Sequence, residues 1–122
     1  MITHSHNLPE VWREEMTLAG DGEQKNWTLL FADQMPKFAD LRIKLSGRGS
    51  RAELVIAHLG RGDENAEMNV ELIHEAPDTY GRITVKSALF DKSRFVFRGM
   101  LDVKPQAKGS DTYLLAKGLM VS

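Results

Sequence analysis

Hydrophobic and polar residues alternate along several stretches of the chain. The clearest are Leu41–Leu45, Met68–Leu72 and Ile83–Lys86, in which every second residue is apolar. Successive side chains of an extended strand point to opposite faces, so each stretch offers one face to a core and the other to water. Shorter apolar or aromatic runs bounded by turn residues also predict strands: Trp27–Phe31, Leu54–Ile56, Phe95–Phe97, Met100–Val103 and Tyr113–Leu115. The pattern predicts an all-β protein.

One stretch near the start of the chain allows two interpretations. A helix over Pro9–Ala19 would have proline early and Gly20 just after its end, which is the usual placement of these two residues. The alternative is a strand at Glu14–Leu18, and an internal repeat favours the strand.

The repeat is visible by direct alignment. Leu18–Leu29 aligns without a gap on Leu45–Ile56, and both copies run from a strand end through a Gly-x-Gly turn to a new strand. A third, looser copy begins at Leu59 with Gly60 and Gly62. Recurring strand–turn–strand units predict a short right-handed parallel β-helix, a solenoid whose stacked coils share one core. An antiparallel β-sandwich or a jelly roll with similar hairpins is the alternative fold.

Length and charge narrow the class of protein. A chain of 122 residues predicts a single domain over residues 1–122, with residues 1–10 expected to be frayed. The formal net charge is −1, which argues against a nucleic-acid binder that relies on phosphate contacts. The apolar runs are too short to span a membrane, and the N-terminus does not resemble a signal peptide. We therefore expect a cytoplasmic protein that binds neither nucleic acid nor membrane.

Cofactor chemistry finds little support in the sequence. The chain has no cysteine, which excludes an iron–sulfur cluster held by its own thiolates. Gly47-x-Gly49-x-x-Ala52 looks like a dinucleotide fingerprint, but a strand and not a helix is predicted to follow it. No phosphate-binding loop for ATP is present. We expect no cofactor to be bound by this chain alone and no catalytic residue.

Two histidines offer an alternative function. His58 and His74 each lie near a predicted strand end, and Glu75 follows the second of them. Together they could serve a β-solenoid or cupin-like enzyme acting on sugars or other small molecules. Histidines at strand ends with backbone partners are the simpler interpretation.

Four segments, taken in order, carry a resemblance to a known family. They are Asn26–Thr28; Leu72–Thr79, which contains His74, Ala76, Pro77 and Thr79; Val85–Gly99, which ends in Phe-x-Gly; and Lys104–Tyr113, which contains Asp111 and precedes Leu119–Ser122. From about Trp27 onwards the chain resembles the β-helical core of the SufB/SufD family, the scaffold proteins of SUF iron–sulfur cluster assembly. The Phe-x-Gly and Asp-Thr-Tyr forms resemble SufD more closely than SufB.

The resemblance implies a non-enzymatic scaffold or interaction protein linked to iron–sulfur cluster assembly. The family motif residues are then expected to have structural roles: His74, Ala76, Pro77, Thr79, Gly99 and Asp111. A SufB/SufD-type protein is the implied partner. The SufC ATPase is a possible further partner, although the helical segment that docks on SufC in the family is missing from this sequence.

The last predicted strand suggests an interface. Leu114 and Leu115, then Leu119 and Met120, form an apolar segment that only Lys117 interrupts. Natural proteins usually protect a sheet edge with charges or a covering segment, and this segment has little of either. We expect it to form an interface, either in a homodimer or with a SufB/SufD-type partner.

Overall fold

The computed structural model describes the backbone of residues 2–4, 10–32 and 36–121, and the side chains of residues 10–32 and 36–118. This part of the chain contains nine strands and no helix: β1 Ile2–His4, β2 Val11–Leu18, β3 Gln24–Phe31, β4 Phe38–Leu45, β5 Arg51–Gly60, β6 Asn65–His74, β7 Tyr80–Phe90, β8 Arg94–Val103 and β9 Asp111–Val121. The expected fraying of residues 1–10 mostly concerns residues outside the described ones.

The strands form two parallel sheets. The first sheet has the order β1-β3-β5-β7-β9 and the second has the order β2-β4-β6-β8, and every neighbouring pair is parallel. Consecutive strands alternate between the sheets, so each coil contributes one strand to each sheet, and β2 to β9 make four coils. The predicted parallel β-solenoid is confirmed, and the antiparallel alternative is wrong.

The first strand of the second sheet resolves the ambiguity near the start of the chain. Val11–Leu18 pairs with β4 along its whole length, and its best-buried side chains are Trp12, Met16 and Leu18. These three residues are separated by even numbers of positions, so they lie on the same face of the strand, as expected for a strand with one buried face. The helix over Pro9–Ala19 is therefore a wrong interpretation, because pairing with β4 outweighs the proline and glycine signals.

The sequence repeat corresponds to the stacking of the coils. Leu18 pairs with Leu45, and Leu29 pairs with Ile56, which is the same register as the gapless alignment. The connections from even to odd strands lie at one corner, here called the glycine corner. Gly22 and Gly49 lie there with positive φ, and the Gly22 N–H donates to the Arg48 carbonyl 2.8 Å away. Asp78, with φ 58°, takes the equivalent place in the third coil.

The third copy of the repeat belongs to a different corner. Gly60 ends β5, and Gly62 lies in the turn before β6, where the chain returns from the first sheet to the second; this turn is here called the opposite corner. Gly62 is stacked on the next coil there, since its N–H donates to Asp91 Oδ2 at 3.0 Å and its carbonyl accepts from the Lys92 N–H. Both corners use left-handed residues, which explains why the copies look alike.

The core lies between the two sheets. It consists of the inward-facing residues of β2 to β7, among which Leu41, Ile43, Leu45, Leu54, Ile56, Val70, Leu72 and Val85 are all buried. Phe95–Phe97 is part of β8, as the apolar run predicted, but its two phenylalanines are only half-buried and pack against the margin of the core. Within the described sheets β8 pairs with β6 alone, so these side chains are covered on one side.

The outer face of the second sheet is charged. Arg42 pairs with Glu15 of one neighbouring strand and with Glu71 of the other, and Lys44 also pairs with Glu15. Surface ion pairs of this kind add little stability, but they keep the face solvated. Within the described ranges, no helix is long and apolar enough to cross a membrane.

Candidate functional site

The motif around His74 forms the glycine corner of the third coil. Strand β6 ends at His74, and β7 begins after the turn at Tyr80. The His74 ring is completely buried, and its Nδ1 lies 2.7 Å from Thr79 Oγ1. The Thr79 hydroxyl in turn donates to the Ala76 carbonyl at 3.2 Å. The turn is therefore closed by its own side chains and not by a glycine.

This polar network continues into the fourth coil. Ser110 Oγ lies 2.8 Å from Thr79 Oγ1 and accepts the Thr79 N–H at 3.1 Å, and the Asp111 N–H donates to the Thr79 carbonyl. Burial lowers the pKa of His74, and the negative charge of Asp111 opposes this effect without overcoming it. A neutral His74 fits the network, because Nδ1–H can donate to Thr79 while Thr79 donates onward. Within the described part of the chain, Nε2 has no hydrogen-bond partner.

The other motif residues occupy different places. Pro77 lies in the turn that follows β6, and its carbonyl accepts the Gly49 N–H from the coil below. Gly99 lies within β8, paired with Val70, where an added Cβ would lie 2.5 Å from Leu114 Cδ2. Four of the six motif residues are thus joined at one corner, Asp111 adjoins them, and Gly99 is separate.

His58 is part of a second polar cluster, at the opposite corner. Its Nε2 lies 2.8 Å from Glu64 Oε1 and its Nδ1 lies 2.9 Å from Ser87 Oγ, while the ring packs against Phe95 at 4.6 Å between centroids. This cluster links strands of both sheets to the turn between β5 and β6. Sequence reasoning missed Glu64 and Ser87 as partners of His58, because the register that aligns His58 with Ser87 becomes visible only when the coils are stacked.

The enzyme hypothesis needed His58, His74 and Glu75 to act together. The two histidines lie at opposite corners of the coil, each with partners of its own, so the structure does not bring them into one site. Across the residues that the structure describes, no three histidine, cysteine, aspartate or glutamate side chains form a group that could hold a metal ion.

Within the described part of the chain, no further coil is stacked on the C-terminal side of the fourth coil. In the described sheets β8 pairs only with β6, and β9 pairs only with β7. Leu101, Val103 and Leu114 continue the inward-facing rows of the core, yet they are 37%, 47% and 38% exposed. Their partners one coil earlier, Leu72, His74 and Ile83, are at most 1% exposed. The open end therefore presents apolar side chains together with backbone groups that have no strand beside them.

Apolar residues also surround this open end on its outside. Met100 is 60% exposed, and Tyr113 and Leu115 of β9 are exposed as well. The Lys104 ammonium forms an ion pair with Asp102 at 2.8 Å near the end of β8, and this hydrogen bond raises the pKa of Lys104. We call the whole region the C-terminal edge, formed by β8, β9 and their exposed side chains.

The predicted interface coincides only in part with this edge. Leu114 and Leu115 are exposed on β9, whereas Leu119 and Met120 lie on the same strand with side chains outside the described ones. Leu101 and Val103 of β8 also belong to the C-terminal edge, although the prediction from sequence did not include them. The run Met100–Val103 was visible in the sequence as a strand, but its place at the edge follows only from counting the coils.

Comparison with known proteins identifies one family. Residues 3–122 match the family model described as SUF system FeS cluster assembly, SufBD core domain. No curated protein matches the chain, and no solved structure matches it.

Proposed function

The chain belongs to the SufBD core family of the SUF system for iron–sulfur cluster assembly, and we propose that it acts there as a non-enzymatic scaffold that pairs through its C-terminal edge. The partner is another SufBD-type solenoid, either a second copy of this chain or a SufB/SufD-type protein. The cytoplasm is the proposed place of action.

The exposed core residues of the last coil carry this proposal. Leu101, Val103 and Leu114 belong to rows whose members on the two preceding coils are buried, and covering them removes apolar surface from water. A second solenoid offers a strand edge of the same kind, so pairing adds main-chain hydrogen bonds as well as side-chain contacts. A symmetric homodimer is one closed arrangement of such an edge.

The scaffold role receives support from the arrangement of the ionisable groups. His74 is enclosed in a structural network, and His58 is occupied by Glu64 and Ser87. Because the sequence contains no cysteine, we propose that any cluster on an assembled complex takes its thiolate ligands from another subunit. Anaerobic reconstitution of the isolated chain with iron and sulfide should leave no cluster absorbance. Stoichiometric iron and sulfide retained on the purified chain would contradict this proposal.

Hydrogen exchange read by mass spectrometry tests the pairing surface. The amides of β8 and β9 that have no strand beside them should exchange quickly in the monomer and become protected when a SufB/SufD-type subunit binds. A Leu101→Glu/Leu114→Glu variant should lose this protection. Val11→Glu is the control, because Val11 is an exposed apolar residue on β2, the strand at the other end of the second sheet.

Two outcomes of this experiment would contradict the proposal. One is protection centred on β2 or on the outer face of either sheet, with β8 and β9 unchanged. The other is protection of β8 and β9 that survives in the Leu101→Glu/Leu114→Glu variant. Adding SufC to the same mixture shows whether the ATPase joins the complex, and the pairing proposal does not depend on that result.

A further inference from the structure

A groove of about 670 Å³ lies on the outer face of the first sheet, in the carboxyl-terminal halves of β3, β5, β7 and β9. Leu30, Ala57, Lys86 and Lys117 are in register across these four strands. They point outward, since the adjacent Phe31 and His58 are buried in the core. The other outward-facing residues of the lining are Ala32, Leu59 and Ala88, so the groove is mainly apolar.

Two cations lie side by side at one end of this groove. Lys86 and Lys117 are direct partners on neighbouring parallel strands, which are about 4.8 Å apart. Like charges in this relation repel each other and destabilise the sheet. Among the side chains that the structure describes, no carboxylate forms an ion pair with either lysine. By contrast, Arg42 on the second sheet contacts two glutamates.

We propose that the groove binds a single-chain anionic amphiphile of the fatty-acid class. Its carboxylate lies between the ammonium groups of Lys86 and Lys117, and its hydrocarbon chain runs towards Leu30 over Ala57, Leu59 and Ala88. The anion offsets the repulsion between the lysines, and the chain covers an apolar surface that water would otherwise contact.

The dimensions of the groove favour one chain and not a larger lipid. From Lys117 to Leu30 the row crosses three interstrand spacings, or about 14 Å. This length suits an extended chain of about ten carbons. A volume of about 670 Å³ lies within the usual range of small-molecule sites, and the two lysines provide charge at one end only. This proposal does not depend on pairing at the C-terminal edge.

Isothermal titration calorimetry with decanoate, below the concentration at which it forms micelles, tests the proposal. We expect one saturable site per chain. Decanol has the same chain without the charge and should bind at least tenfold more weakly, and butyrate should show no measurable binding. Shortening the chain from decanoate to octanoate should weaken binding by about twofold to fourfold per methylene, according to how fully the chain is covered.

Variants separate the contribution of the charge from that of the apolar surface. Lys86→Met/Lys117→Met should weaken decanoate binding at least tenfold and leave decanol binding unchanged. The matched control is Lys37→Met/Lys44→Met, because Lys37, just before β4, and Lys44 of β4 each have a glutamate partner. It should leave the binding of both ligands unaffected. Ala57→Trp fills the groove and should abolish binding of both, while circular dichroism confirms that each variant is folded.

Three results would overturn the proposal. They are an absence of saturable decanoate binding to the folded protein, decanoate binding that is unchanged in Lys86→Met/Lys117→Met, and decanol binding as tight as decanoate binding.

Discussion

Shortening two leucines of the same core row to alanine, one at a time, measures how much stability each position contributes and so tests whether the last coil is exposed. Met16, Ile43, Leu72 and Leu101 form a single inward-facing row across β2, β4, β6 and β8. Leu72 is 1% exposed and Leu101 is 37% exposed. Changing each leucine in turn to alanine removes the same atoms from a closed position and from an open one.

The expected costs differ by about 2 kcal/mol. Leu72 has a paired strand on each side and faces Gly81, so its surroundings cannot collapse into the space that it leaves. Leu72→Ala should therefore lower the free energy of unfolding by about 3 to 4 kcal/mol, near the middle of the usual range for a buried leucine. Leu101 loses a partly hydrated side chain and leaves a space that water can fill. Leu101→Ala should cost about 1 to 1.5 kcal/mol, which is mostly the transfer contribution.

Urea denaturation followed by the fluorescence of Trp12 and Trp27 gives both values. The protein concentration must be low enough that pairing does not cover Leu101. At high concentration the cost of Leu101→Ala should rise, because pairing stabilises the folded state by mass action. Equal costs at low concentration would refute the reasoning, since the end of the core would then be closed within the monomer.

Three further predictions concern the glycine corner, and all use the same unfolding measurement. Gly47→Ala should lower the free energy of unfolding by at least about 2 kcal/mol, because the added Cβ would overlap the Gly20 backbone carbonyl. Gly118→Ala, in β9 with open space around it, is the comparison and should leave the free energy of unfolding nearly unchanged. Equal effects of the two substitutions would contradict the prediction. Asp78→Val should lower the free energy of unfolding by about 1 to 2 kcal/mol, because the backbone φ of 58° is unfavourable for a β-branched residue. Asp78→Gly should change it by less than about 1 kcal/mol. A similar loss in both variants would show that the backbone conformation is not the cause. Because the pKa of His74 is lowered in the folded state, the unfolded chain binds more protons than the folded chain just below pH 6.5. The free energy of unfolding should therefore fall as the pH falls below 6.5, by up to about 1.4 kcal/mol per pH unit. Above pH 6.5 it should be insensitive to His74. His74→Gln should remove this dependence, and a difference between wild type and variant that stays constant from pH 5 to 7.5 would contradict it.

The repeat in the sequence predicted more of the fold than any single strand did. The alignment of Leu18–Leu29 on Leu45–Ile56 is the register of two stacked coils, because coils of equal length place equivalent residues side by side. The repeat did not predict the glycine corner of the third coil. There the corner is built from His74, Thr79 and a left-handed Asp78, so the glycine pattern was found at the opposite corner instead.

The candidate site was less predictable because it depends on the number of coils. Leu114 and Leu115 were visible as an apolar run, but Leu101 and Val103 looked like any other strand interior. In the described sheets β8 has a paired strand on one side only, and the exposure of Leu101 and Val103 follows from that, which no local pattern reveals. The pairing of Lys86 with Lys117 likewise depends on the stacking register.

Sedimentation velocity tests pairing through the C-terminal edge most directly. The chain is measured over a range of concentrations, alone and mixed with a SufB/SufD-type subunit, beside the Leu101→Glu/Leu114→Glu variant and the Val11→Glu control. We predict a species containing two solenoids that forms with wild type and with the control but not with the edge variant. A monomer under all conditions, or a complex that the edge variant forms equally well, would contradict the account.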